Sequence, residues 1–149
     1  MARWISAELR QTIADRAKQL CEYCLIAEAD TFYGCQVDHI ISVKHGGSSE
    51  LHNLAYACAP CNRAKGSDVG SIASSGEFTR FYNPRTDRWA EHFRLSGATI
   101  EWLTPIGEVT ARIFGFNDSV RLHEREEMIR FGKYPSDAAA ALMAVRSSR

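Results

Sequence analysis

Between residues 5 and 20 apolar side chains return every three or four positions, at Ile5, Leu9, Ile13, Ala17 and Leu20. That spacing lines one face of a helix. Ser6 is of a type that caps such a helix, so a helix is expected over 6–20, running directly into Cys-Glu-Tyr-Cys at 21–24. The pattern then changes. Residues 36–43 (QVDHIISV) and 54–58 (LAYAC) are short apolar runs of strand type. Between them KHGGSSELHN has loop chemistry, with Gly46-Gly47 permitting a tight turn. Ala59–Lys65 reads as a helical turn or two, with Pro60 in its first turn and Gly66 as its stop.

Residues 67–77 (SDVGSIASSGE) are small and polar and are expected to be a linker. HFRLSGATIEWLT alternates on either side of Ser-Gly and predicts a hairpin. Thr104 and Pro105 then open a helix whose apolar stripe is Ile106, Val109, Ile113 and Phe116. A further helix is expected over about 118–131, stopping near Gly132, and the tail SDAAAALMAVRSSR suggests a frayed one. There is no internal repeat. The organisation expected is a module over 1–66 that includes the N-terminal helix, the linker 67–77, and a hairpin-and-helix extension over 78–149 packed on the module.

At 149 residues the chain fits one compact domain with room for a core. Lys+Arg and Asp+Glu number 18 each, for a formal net charge of +0. That balance argues against a binder held to a polyanion mainly by counterion release, without excluding a local basic face. The start, MARWISAELRQ, lacks a signal-peptide apolar run, and no stretch approaches 18 apolar residues. A cytoplasmic chain with no membrane span is expected, in which five cysteines do not form a disulfide framework.

Four of those cysteines are spaced as two matched pairs, Cys21-x2-Cys24 and Cys58-x2-Cys61. Each pair can offer two thiolates on one turn, and together they make a closed tetrahedral site of the kind zinc fills structurally. Separate buried thiols or redox pairs would not require the matched spacing. Cys35 stands apart and is expected to be a small buried apolar residue. The cysteine pairs bracket Asp38 and His39, adjacent ionisable residues inside an apolar run, where such groups are rare. Asn53 lies between the pairs, and Asn62 follows the last cysteine, so metal anchoring would fix its direction.

CEYC, VDHIISVKHGG and LHNLAYACAPCNRAKG, taken in order over about residues 14–66, resemble the HNH endonucleases. The resemblance implies an α+β architecture, with a ββα-metal core and a structural four-cysteine zinc site. The family often has histidine at its third signature position; Asn62 stands there in this chain, giving His-Asn-Asn. The resemblance assigns His39 as the base that activates water, and Asp38 and Asn62 as oxygen ligands of a catalytic divalent ion, Mg²⁺ or Mn²⁺. It assigns Asn53 as an orienting residue that braces the loop and holds the His39 ring. A histidine titrates near about 6.5 when unperturbed, which suits a base. One geometric condition follows: a regular strand sends Asp38 and His39 to opposite faces, so the strand must twist or end there for both to reach one phosphate.

Lys44, Arg63 and Lys65 near the site, and Arg85 in RFYNPRTDRWAEHF, are candidate nucleic-acid contacts. The aromatic residues of that last segment, Phe81, Tyr82 and Trp89, would either stack on bases or cover a small core. The function implied is metal-dependent hydrolysis of DNA phosphodiesters, leaving 5′-phosphate and 3′-hydroxyl ends, with a homodimer wanted for a double-strand cut. The alternatives are a zinc-stabilised nucleic-acid adaptor without cleavage, and an interaction protein using zinc only as scaffold.

Overall fold

Helix α1 (Ala7–Arg16) begins where Ser6 Oγ accepts from the Leu9 amide at 3.0 Å, and it buries Ile13 and Ala14. It ends earlier than the apolar period predicts. Lys18 and Gln19 adopt left-handed conformations, with φ of 57° and 55°, which a helix cannot continue through. The reversal lets Leu20 bridge to Ala27 and folds 21–24 into a tight knuckle. The computed structural model describes residues 5–145, so residues 146–149 of the expected tail helix lie outside it.

Strands β1 (Cys35–His39) and β2 (Leu54–Cys58) pair antiparallel, with Asp38 opposite Ala55 and His39 opposite Leu54. Helix α2 (Ala59–Lys65) follows at once, with Pro60 in its first turn. The order is therefore ββα, in an α+β chain. β1 stops at His39 rather than continuing to residue 43. Beyond it, the Asn53 side chain takes over both polar groups of Ile41: the Ile41 amide donates to Asn53 Oδ1, and Asn53 Nδ2 donates to Ile41 O, each at 2.9 Å. A side chain has replaced a strand neighbour, and short 3₁₀ turns over 43–45 and 51–53 complete the loop.

The expected linker carries structure. β3 (Gly70–Ile72) pairs with β4 (Phe78–Arg80), so 67–77 supplies one arm of a hairpin. After α3 (Trp89–His92) comes the expected hairpin, β5 (Phe93–Ser96) with β6 (Thr99–Trp102). Thr104 Oγ1 accepts from the Gly107 amide at 3.0 Å and opens α4 (Pro105–Phe114). α5 (Ser119–Arg130) and α6 (Asp137–Ala144) close the described chain. No helix among the described residues is long and apolar enough to cross a membrane.

Phe81, Tyr82 and Trp89 are core residues, which removes them as a stacking surface for bases. Phe81 meets Phe114 edge-on with ring centroids 5.1 Å apart, and Phe114 meets Tyr23 at 4.9 Å. Tyr23 sits inside the first cysteine knuckle. The core of the extension is thus continuous with the ββα unit, and helices α2 and α4 pack together.

Candidate metal centre and catalytic cavity

The four sulfurs of Cys21, Cys24, Cys58 and Cys61 all lie within 4.8 Å of one another, and all four residues are buried. Cys24 Sγ and Cys58 Sγ are 3.7 Å apart. A tetrahedral ion with bonds of about 2.3 Å to sulfur needs sulfurs roughly 3.8 Å apart, a spacing that Cys24 and Cys58 already have and that the cluster as a whole approaches. Hydrogen bonds from Cys21, Cys58 and Cys61 pull the Cys24 thiol well below its ordinary range. Cys35 is buried outside the cluster, and burial pushes its thiol up.

The extension closes over this centre. Arg121 Nη2 donates to Cys61 Sγ at 3.2 Å and approaches Cys58 Sγ at 3.9 Å. Burial works against its charge, but the neighbouring cysteines outweigh it and hold the guanidinium pKa above its usual value. A dication with four thiolates carries two net negative charges, and Arg121 offsets one of them in the buried setting. Tyr134 Oη donates to Cys24 O and Trp89 Nε1 to Tyr23 O, both at 2.8 Å, which fixes the knuckle's backbone.

β1 leads from this centre to a cavity of about 260 Å³ lined by Asp38, His39, Ser42, Lys44, Asn62 and Ser67, among others. Because the strand ends at His39, Asp38 and His39 border one space despite adjacent positions in the chain. Asp38 is 4 % exposed. Its Oδ2 accepts from Tyr23 Oη at 2.8 Å and its Oδ1 from Lys65 Nζ at 3.2 Å. Burial pushes the Asp38 carboxyl up, and Lys65 and Tyr23 only partly offset that. His39 is half-buried, with Nε2 2.9 Å from Ser49 Oγ. Asn62 Nδ2 donates to Gln36 Oε1 at 2.7 Å, which fixes the plane of the amide.

The sequence expectation for Asn53 needs correction in one respect. Asn53 braces the loop, but both its amide hydrogens are taken, by Ile41 O at 2.9 Å and Ser48 O at 2.7 Å. It therefore has no hydrogen to donate to the His39 ring. Nε2 of the ring meets Ser49 Oγ, next to the carbonyl that Asn53 holds, so Asn53 reaches His39 through the loop. The loop is closed tightly enough to require glycine at 47, where a Cβ would lie 1.7 Å from Ile41 O and 2.8 Å from Asn53 Nδ2. Gly47→Ala is expected to force that contact apart and cost about 1–3 kcal/mol. Urea unfolding of the zinc-loaded protein measures it, and a midpoint equal to wild type would contradict the close approach.

Two proposed nucleic-acid contacts are also corrected. Lys65 is 2 % exposed, with its ammonium between Asp38 and the His39 carbonyl, 2.9 Å from the latter. It is a buried partner of the site and not a surface cation. Arg85 is paired with Glu22 and reaches Leu54 O at 3.4 Å. Together with Arg16, which donates to Leu51 O at 2.9 Å and also to Leu54 O, it clamps the turn bearing Asn53. Lys44 and Arg63 are exposed, and of the two only Lys44 borders the cavity. Tyr23, Lys65 and Ser49 were missed as site partners, since each bonds across ten or more residues with no spacing rule to reveal it. The position of Tyr23 inside the knuckle was the one available signal.

The oxygen donors bordering the cavity can be tested against a divalent ion. A carboxylate offers about four lone-pair sites, of which Tyr23 and Lys65 occupy two, and Asn62 contributes an amide oxygen. Hard oxygen donors facing a polar cavity fit Mg²⁺ or Mn²⁺ as a site completed by water and substrate. A larger groove of about 540 Å³ shares α2 through Pro60, Arg63 and Ala64, but none of Asp38, His39, Asn53 or Asn62 lines it.

Residues 21–68 match the HNH endonuclease family model. Over this segment the chain is similar to HNH endonucleases. No curated protein and no solved structure gives a significant match to the chain. The HNH segment holds both cysteine pairs, β1, β2, α2 and the cavity-lining residues named above. A nuclease-type function is the class this indicates. Arg121, Trp89 and Tyr134, which secure the metal knuckle, lie outside the matched segment.

Proposed function

We propose that the chain is a metal-dependent endonuclease that hydrolyses DNA phosphodiester bonds, leaving 5′-phosphate and 3′-hydroxyl ends as HNH nucleases do. The observation that carries this reading is the convergence of Asp38, His39 and Asn62 on one polar cavity inside the HNH domain. Ser49 holds the imidazole of His39 from Nε2, and a ring lone pair takes the proton from the attacking water. Asn53 fixes the 41–48 loop and so the place of Ser49. Lys44 at the cavity edge draws the phosphodiester in. Asp38 and Asn62 would hold the divalent ion, which when bound supplies charge neutralisation at the phosphoryl group and at the leaving 3′ oxygen. Structural zinc in the four-cysteine centre would tie the knuckle to β2 and α2 and so hold α2 in place beneath these groups.

The second reading, a zinc-stabilised nucleic-acid adaptor, draws on the neutralisation of Asp38 by Lys65. Supercoiled plasmid separates the two. With zinc-loaded wild type and Mg²⁺ or Mn²⁺, nicked or linear product is expected, and EDTA should abolish it. Folded, zinc-loaded protein that binds DNA but cuts it with no divalent ion would establish the adaptor.

A further inference from the structure

Lys65 is the last residue of α2 and one of the most deeply buried side chains in the protein. Its ammonium contacts Asp38 Oδ1 and the carbonyl of His39, while Tyr23 holds the other carboxylate oxygen. One side chain from α2 thus ties together the end of β1, the proposed metal ligand and the backbone of the proposed base. Burying an ammonium among so few partners is costly unless its charge is matched, and here Asp38 matches it.

That match has an electrostatic consequence for cation capture. The chain offers a divalent ion one carboxylate and one neutral amide, and the carboxylate already has a cation in contact. The donor set and its neighbour therefore sum to no net charge. Affinity of hard divalent ions rises with the number of charged ligands, so this site attracts such an ion weakly by itself. A phosphodiester entering the cavity brings the missing negative charge.

We propose that Lys65 is a positioning residue that makes divalent-ion binding at Asp38 and Asn62 conditional on a phosphodiester in the cavity. This rests on the nuclease reading and adds to it an order of binding: DNA first or together with the ion, not the ion alone. Lys44, which borders the cavity, acts in the same direction, because it repels a free cation and attracts the phosphate.

The test uses zinc-loaded protein carrying His39→Ala, so that DNA is not consumed. Mn²⁺ is titrated in with and without a short DNA duplex, free Mn²⁺ is read by its electron-spin resonance, and binding to the duplex alone is subtracted. Mn²⁺ is expected to bind at least tenfold more tightly when DNA is present. Adding Lys65→Gln, which retains a hydrogen-bond donor without the charge, should strengthen DNA-free binding and shrink the difference to less than threefold. Lys65→Arg should restore the difference. Equal Mn²⁺ affinity with and without DNA overturns the proposal while leaving the nuclease reading intact. So does a difference that survives Lys65→Gln unchanged. Absence of Mn²⁺ binding in both states overturns the divalent site and this proposal together. Should neither Lys65 variant fold, the His39→Ala titration decides by the presence or absence of the tenfold difference.

Discussion

Removing the ion from the four-cysteine centre is expected to unfold most of the protein, HNH domain and extension alike. Cys21 and Cys24 lie on the knuckle after α1, while Cys58 ends β2 and Cys61 sits in α2. The ion therefore joins the entry of the ββα unit to its last two elements. Structural zinc contributes about 10–16 kcal/mol in small zinc domains, whereas a whole domain is stable by only about 5–15 kcal/mol. The loss matches or exceeds the entire margin. It also removes the ion that gathers the sulfurs against which Arg121 is buried. Cys58→Ser should act like chelation, because serine cannot replace a thiolate and its hydroxyl would stand in a buried site. The measurements are circular dichroism and metal content, before and after a strong chelator, with zinc then restored. Loss of the cooperative thermal transition, recovered on adding zinc, is the expected result. A metal-free protein melting cooperatively within a few degrees of the loaded one would show that the extension alone holds the fold.

The extent to which the extension shares in the site could not be read from sequence, and the reason is physical. Local signals were legible wherever they act over a few residues. Ser6, Thr104 and Pro60 mark helix starts because capping joins positions three apart. The paired cysteines reveal a metal site because both ligands of each pair lie on one turn. The HNH signature placed Asp38, His39 and Asn62 together, and the ending of β1 at His39 met the geometric condition posed by their adjacency. What was not legible is held by single long-range contacts. Lys65 and Arg85 look like surface cations in the sequence, yet one completes a buried pair with Asp38 and the other pairs with Glu22, 63 residues away. Burial, not residue type, decides whether a lysine or arginine meets a phosphate or a carboxylate. The small polar run 67–77 failed as a linker for a related reason, since pairing with β4 gives its backbone partners that its composition does not advertise.

On the activity side the largest effect belongs to His39. His39→Ala is expected to lower plasmid nicking by about 10²–10⁴-fold, the usual worth of a positioned general base, while zinc content and unfolding midpoint stay near wild type. The structural ground for that separation is exposure. His39 is half-buried at the strand's end, and its Nε2 meets Ser49 on the loop, so truncation removes a reacting group without opening a cavity among fully buried side chains. Asn53→Ala should behave differently. Its amide makes three hydrogen bonds to the backbone of residues 41 and 48, and their loss frees two part-buried carbonyls and an amide, at no more than about 1–3 kcal/mol for each group left unsatisfied. Activity and stability should therefore fall together in Asn53→Ala, and activity alone in His39→Ala. Ser49→Ala, which leaves the imidazole in place and removes only its hydroxyl partner, should fall between wild type and His39→Ala in rate. If His39→Ala nicks plasmid at the wild-type rate under Mg²⁺ and Mn²⁺, proton abstraction lies with another group and the cavity at the end of β1 is not the catalytic one. If it loses stability as Asn53→Ala does, its imidazole is part of the loop's framework, and the drop in rate cannot be credited to a base.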